Sequence, residues 1–228
     1  MKKDKIFCIG FPKTGTTSLE KALEELGYNV CRGNYKNNHT NYLIGLFYNK
    51  DFDEIDKIIS YYDVFADLPW GGTEFYKYLF KKYPKAKFIH SFRQPESWYK
   101  SLEKMITKLD PNLKTAMNSF HKGGRYGAVY YLEKEYEITQ LYQNEEKIKS
   151  HYIKINNEIE HFFKNNSKTY LKIKITEGEG WSRICKFLNE SIPNQNFPNE
   201  NKSLTIKPSN GNISKAFNLK KIIKKIIN

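Results

Sequence analysis

Cysteine is scarce in this chain. The three cysteines, Cys8, Cys31 and Cys185, are odd in number and widely spaced. This spacing argues against a disulfide framework and against a zinc site built from thiols. Unpaired thiols are typical of a reducing compartment, so the sequence predicts a cytoplasmic protein.

Long apolar runs are also missing. No stretch approaches the roughly 18–20 apolar residues that a transmembrane helix needs, and the charged N-terminus leads into only a short apolar run. We therefore expect a soluble protein with neither a membrane anchor nor a signal peptide. The chain is still 39% hydrophobic, which is enough to bury a sizeable core and argues against global disorder.

Arginine is rare, although the chain is strongly basic. The 38 Lys and Arg residues outnumber the 25 Asp and Glu residues and give a net charge of +13, but only four of these cations are arginines. A lysine-rich background accounts for most of the charge, so we expect no nucleic-acid partner from basicity alone. Each arginine is nevertheless a candidate anion ligand, because its planar group donates two parallel hydrogen bonds.

Strand and helix patterns alternate along the chain. Strands are predicted at residues 5–10, 28–31, 63–66, 87–91 and 170–175, and helices at 16–26, 72–83, from Pro95, within 128–163 and at 180–189. This alternation is typical of an α/β fold, in which helices flank a parallel sheet. We expect one such domain over residues 1–200.

A separate C-terminal tail is predicted over residues 201–228. Its last part places apolar residues on one helical face and lysines on the other, which predicts a basic amphipathic helix; the apolar face consists of Leu219, Ile222, Ile223, Ile226 and Ile227. One interpretation is a helix that docks on the body of the protein. The other is peripheral contact with an anionic membrane surface or partner.

The segment between the first strand and the first helix predicts an anion site. It reads Gly-Phe-Pro-Lys-Thr-Gly-Thr-Thr-Ser from Gly10 to Ser18. Backbone N–H groups of such a loop and the N-terminal dipole of the helix bind phosphate. The spacing of Gly10 and Gly15 matches the start of a nucleoside-triphosphate P-loop, but Thr16 stands where that loop has its lysine, and Lys13 lies within the loop instead.

A second anion ligand is predicted after the fourth strand. Arg93 lies at the end of this strand, Pro95 fits the first turn of the next helix, and Ser101 lies further along that helix. An arginine at a strand end can bind two phosphate oxygens, and a serine on the following helix can donate to the same anion.

These two motifs resemble those of sulfotransferases that use 3′-phosphoadenosine 5′-phosphosulfate (PAPS). The loop resembles the family's 5′-phosphosulfate loop, the spacing of Arg93, Pro95 and Ser101 matches its 3′-phosphate motif, and weaker similarity to small soluble members extends to about residue 201. The resemblance implies a P-loop-type three-layer sandwich with a central parallel sheet of about five strands. It also implies these nucleotide-binding residues: Pro12, Lys13, Thr14, Gly15, Thr16, Thr17, Ser18, Arg93 and Ser101.

The implied reaction moves a sulfuryl group from PAPS to a hydroxyl or amine acceptor and leaves adenosine 3′,5′-bisphosphate, without a metal ion. In this family the loop lysine, here Lys13, stabilises the leaving phosphate. Asp67 is the leading candidate for the catalytic base, because it ends the third strand and ligands of parallel sheets bind at that edge. Its alternative role is to cap the following turn. His90 is the other candidate base, although a histidine within a strand is more often packed in the core.

Two other functions fit parts of the pattern. A P-loop nucleotide or small-molecule kinase fits the glycine spacing, but Thr16 disfavours it. A non-catalytic relative that binds only the nucleotide fits both anion motifs. The aromatic side chains of residues 33–60 and 108–131 would either line an acceptor pocket or fill the core.

Overall fold

A central parallel sheet organises the fold. The computed structural model describes residues 4–31, 39–109, 135 and 144–199. Within these ranges five strands form one sheet in the order β2-β3-β1-β4-β5, with every neighbouring pair parallel. The strands are β1 (Ile6–Cys8), β2 (Val30–Cys31), β3 (Val64–Phe65), β4 (Lys87–Ser91) and β5 (Tyr170–Ile173).

Seven α-helices flank this sheet in the described part of the chain. They are α1 (Thr16–Glu25), α2 (His39–Tyr48), α3 (Phe52–Tyr61), α4 (Phe75–Lys82), α5 (Pro95–Leu109), α6 (Glu145–Phe163) and α7 (Trp181–Leu188). The predicted α/β class with a five-stranded parallel sheet is confirmed. The predicted fifth strand ends earlier than expected, because a 3₁₀ turn begins at Ile175.

Alternation of side chains along the strands separates two apolar layers. Phe7, Phe65 and Phe88 point to one face, where they pack against α2 to α6. Ile6 and Ile89 point to the other face, where they pack against α1 and α7. Because successive strand residues face opposite sides, both faces of the sheet are covered, and the three-layer arrangement is confirmed.

The strand order creates a crevice beside β1. After β1 the chain crosses to β2 and β3 on one side, and it then returns to β4 and β5 on the other side. The loops that follow β1 and β4 therefore leave the sheet in different directions. Ligands of open parallel sheets bind at such a switch point, beyond the carboxyl ends of the strands.

Several expectations concern residues outside the described ranges. The tail at 201–228 and the first part of the helical pattern at 128–163 both lie there, so the division into a domain and a tail stays a prediction. The three cysteines are described, and all are buried thiols. No described helix is both long and apolar enough to cross a membrane.

Candidate active site

The predicted site residues lie at the carboxyl edge of the sheet. The loop with Lys13 follows β1, Asp67 follows β3 and Arg93 follows β4. These three strands are adjacent in the sheet, and parallel strands all end at the same edge. Tertiary structure thus brings together residues that are far apart in sequence.

The loop after β1 presents the N-terminus of α1. Gly15 adopts the left-handed conformation (φ 100°), and the helix begins at Thr16 with no acidic residue in its first turn. The hydrogen bond from Leu19 N to Gly15 O (3.0 Å) begins the intrahelical series. The N–H groups of Thr16 and Thr17 precede this bond, so they are positioned to donate to an anion.

Side chains of this loop also hold it against β4. The hydroxyl of Thr14 donates to Phe11 O (2.6 Å) and lies 2.6 Å from Ser91 Oγ. Thr14 is fully buried, so its side chain anchors the loop and only its backbone is suited to a ligand. Trp98, at the start of α5, donates from Nε1 to Pro12 O (2.9 Å).

Arg93 lies beside this loop. Its Nε donates to Ser97 Oγ (3.1 Å), and its Nη1 reaches Lys13 O (3.5 Å). Ser101 follows Ser97 by four residues on α5, so both serines lie on the same face of that helix. Among the described residues, the half-buried guanidinium is therefore held next to the loop by neutral oxygen acceptors and not by a carboxylate.

Asp67 presents a carboxylate oxygen that the described protein does not satisfy. Its Oδ1 is enclosed and has no hydrogen-bond partner among the described residues. Burial raises the pKa of Asp67 to about 6, against the opposing effects of the Leu68 backbone N–H and the charge of Lys13. A buried acceptor without a partner is costly, so it indicates a position where a ligand donates.

The backbone at two of these residues is strained. Lys13 (φ 73°) and Asp67 (φ 64°) are two of the four described non-glycine residues in the left-handed region. Residues other than glycine rarely adopt this backbone conformation, and those that do cluster at functional sites. Both residues lie at the carboxyl edge of the sheet, since they follow the parallel strands β1 and β3.

His90 has a different environment. It is fully buried in β4, with Nδ1 2.7 Å from Tyr170 Oη and Nε2 2.6 Å from Asn156 Oδ1. Because Asn156 Nδ2 donates to Tyr152 O, Asn156 Oδ1 accepts from His90, and Tyr170 donates to Nδ1. Burial lowers the pKa of His90 to about 4. Both ring nitrogens are engaged within the core, so His90 holds β4 and has no nitrogen left for an acceptor molecule.

Sequence reasoning missed Tyr152, which contacts Arg93 from α6. Its hydroxyl donates to Arg93 O (2.7 Å) and accepts from Arg93 N (3.2 Å). The two residues are 59 positions apart, and the pattern around Tyr152 predicts only a helix. Trp98 belongs to a motif that the sequence did show, but its contact with the loop was not predicted.

The described residues contain no group of His, Cys, Asp and Glu side chains that could hold a metal ion.

A family model described as sulfotransferase domain matches residues 5–206. The chain is also 26% identical over 215 residues to the Ava biosynthesis cluster protein M of Aspergillus versicolor, an alignment that covers 85% of this chain and 79% of that protein. The family model covers nearly the whole described fold, and the chain therefore belongs to the sulfotransferase domain family.

Proposed function

We propose that this protein is a PAPS-dependent sulfotransferase that acts on a hydroxyl or amine acceptor. The observation that carries the proposal is the convergence of three groups at one edge of the sheet. These are the Lys13 loop at a helix N-terminus, the Arg93 guanidinium and the unpartnered Asp67 carboxylate oxygen. The first two suit an anionic nucleotide, and the third suits a donor such as an acceptor hydroxyl.

The donor groups fit a nucleotide with two phosphate positions. The N–H groups of Thr16 and Thr17, together with Lys13, would hold the 5′-phosphate, and the buried hydroxyls of Thr16 and Ser18 would support this end of the loop. Arg93, with Ser101 on the next helix, would hold the 3′-phosphate. When bound, PAPS supplies the sulfuryl group. Lys13 would stabilise negative charge at the 5′ end.

Asp67 is the residue that we assign to accept the proton of the acceptor. Its enclosed Oδ1 is a hydrogen-bond acceptor, and its raised pKa makes it a stronger base than an ordinary aspartate. The neighbouring charge of Lys13 opposes this rise and keeps the carboxylate ionised at neutral pH. His90 is not part of the proposed machinery, since both of its nitrogens are bound in the core.

Nucleotide-dependent stabilisation tests the two anion positions. We expect adenosine 3′,5′-bisphosphate to raise the melting temperature without Mg²⁺, because a ligand at about 100 times its Kd adds about 2.7 kcal/mol of stability. Arg93→Ala should reduce this shift to the level seen with adenosine 5′-monophosphate, since the 3′-phosphate then loses its bidentate ligand. Differential scanning fluorimetry measures both effects.

Arg183→Ala is the matched control for that experiment. Arg183 lies on α7 and pairs with Glu179 (2.5 Å), so its loss removes an arginine that is not assigned to the site. The shift should remain in this variant. Equal stabilisation of the wild type by the monophosphate would contradict the 3′-phosphate assignment. Stabilisation by ATP and Mg²⁺, with no response to the bisphosphate, would favour the kinase alternative.

The pH dependence of turnover tests the assignment of Asp67. A base must be ionised to accept a proton, and burial raises the pKa of Asp67 to about 6. The value of kcat/KM should therefore be constant above this pH and fall about tenfold per pH unit below it. Release of adenosine 3′,5′-bisphosphate from PAPS, with a panel of phenols, sugars and amines, provides the rate. A profile that stays flat down to about pH 4, the ordinary aspartate pKa, would contradict the assignment.

The buried thiols of Cys8, Cys31 and Cys185 support a reducing compartment, and we infer a cytoplasmic enzyme whose partners are a nucleotide cosubstrate and its acceptor. We assign it no nucleic-acid partner. Peripheral membrane contact by the tail helix stays a prediction, since residues 201–228 lie outside the described ranges.

A further inference from the structure

Two buried aromatic rings join the helices that follow the site. Trp98 of α5 and Tyr152 of α6 stack with their ring centroids 3.9 Å apart and their planes 17° apart. Phe11 packs against both rings, at 5.5 Å from Trp98 and 4.7 Å from Tyr152. All three side chains are at most 1% exposed. The stacked pair is therefore a rigid unit within the core.

The polar atoms of this pair bind the two anion-site segments. Trp98 Nε1 donates to Pro12 O (2.9 Å), which lies in the phosphate loop. Tyr152 Oη binds both backbone groups of Arg93, as acceptor at 3.2 Å and as donor at 2.7 Å. One stacked pair thus holds the backbone on both sides of the crevice between β1 and β4.

We propose that Trp98 and Tyr152 are positioning residues that fix the spacing between the phosphate loop and Arg93. They thereby make the site selective for a nucleotide with two phosphates. The inference rests on the proposed function, because it takes Arg93 as the ligand of the 3′-phosphate. A bisphosphate must bind the loop and Arg93 at the same time. A spacing that is already fixed lowers the entropic cost of ordering these two segments on binding. A monophosphate binds only one of these two segments, so the fixed spacing adds little to its affinity.

The conservative variants keep an aromatic ring at both positions of the pair. Tyr152→Phe removes only the hydroxyl and keeps the ring between Trp98 and Phe11. Helix α6 remains bound to β4 through Asn156 and His90. Trp98→Phe keeps an aromatic ring on Tyr152 but removes the donor to Pro12. Tyr152→Phe therefore releases the backbone of Arg93, and Trp98→Phe releases the loop at Pro12.

Isothermal titration with two nucleotides tests this inference. For each protein we define the discrimination ratio as the Kd of adenosine 5′-monophosphate divided by the Kd of adenosine 3′,5′-bisphosphate. Loss of one buried hydrogen-bonding group should lower this ratio about five- to tenfold in Tyr152→Phe and in Trp98→Phe. A fraction of unfolded protein changes the titration endpoint equally for both nucleotides, so it does not alter the ratio.

Tyr170→Phe is the control for the loss of a buried tyrosine hydroxyl. The hydroxyl of Tyr170 binds His90 and contacts neither Arg93 nor the loop. The discrimination ratio of Tyr170→Phe should therefore equal that of the wild type. If the wild type prefers the bisphosphate and both test variants retain the full ratio, the positioning role is overturned. If the wild type shows no preference, the proposed 3′-phosphate site itself fails, and the inference fails with it.

Discussion

Replacement of Asp67 by Asn is expected to lower turnover about 10²- to 10⁴-fold, the usual contribution of a positioned general base. Asparagine keeps the size of the side chain but cannot accept a proton. Since Asp67 is assigned to the acceptor rather than to the nucleotide, the affinity for adenosine 3′,5′-bisphosphate should change by less than about twofold. Release of the bisphosphate from PAPS and titration calorimetry measure these two quantities.

Asp63→Asn is the matched control for the Asp67 variant. Asp63 precedes β3, at the opposite edge of the sheet, and accepts a hydrogen bond from Asn29 N (3.0 Å). Its replacement should leave turnover unchanged at the temperature of the assay. If Asp67→Asn turned over as fast as Asp63→Asn, Asp67 would have no role as the base, and its enclosed oxygen would need a structural explanation.

Replacement of Gly10 by Ala is expected to destabilise the fold severely. A Cβ at this position would overlap the carbonyl and hydroxyl oxygens of Ser91 and lie 2.8 Å from Ser91 N. These are mainly backbone atoms of β4, which cannot move without disturbing the sheet. We expect a loss of at least about 3 kcal/mol, because overpacking against backbone is poorly relieved. Urea unfolding followed by tryptophan fluorescence measures the change.

Gly45→Ala provides the comparison for that variant. Gly45 lies in α2, and a Cβ there meets no atom within 4 Å. Alanine is the better helix former, so this variant should gain about 0.5–1 kcal/mol. A Gly10→Ala protein as stable as the wild type would show that β1 and β4 separate more easily than the close packing implies.

Local sequence determined the elements of the fold and the two anion motifs. The β4 strand at 87–91 and the start of α5 at Pro95 agree with the prediction, because buried strands and proline-initiated helices have strong local patterns. Lys13 and Arg93 were also identified as candidate anion ligands from local sequence patterns. Each belongs to a short motif whose meaning depends on its neighbours in the chain.

Tertiary structure gives the two candidate bases different environments. The sequence ranked Asp67, at the end of a strand, above His90, which lies within a strand, and the packing shows how their environments differ. Asp67 lies at the carboxyl edge, where its Oδ1 has no partner in the described part of the chain, whereas His90 is enclosed between Tyr170 and Asn156. Burial raises the pKa of the first and lowers that of the second, and burial depends on residues far away in the chain.

The sequence by itself determined that this protein has alternating strands and helices, with a glycine-containing loop after β1 and an arginine after β4. Only the tertiary structure decided how these parts meet. Strand order brought the loop beside Arg93, and the contact of α5 with α6 stacked Trp98 on Tyr152 to hold both segments. The reason is physical: helix and strand periodicity is encoded by near neighbours, whereas hydrogen bonds such as that of Tyr152 to Arg93 form only once distant segments share a core.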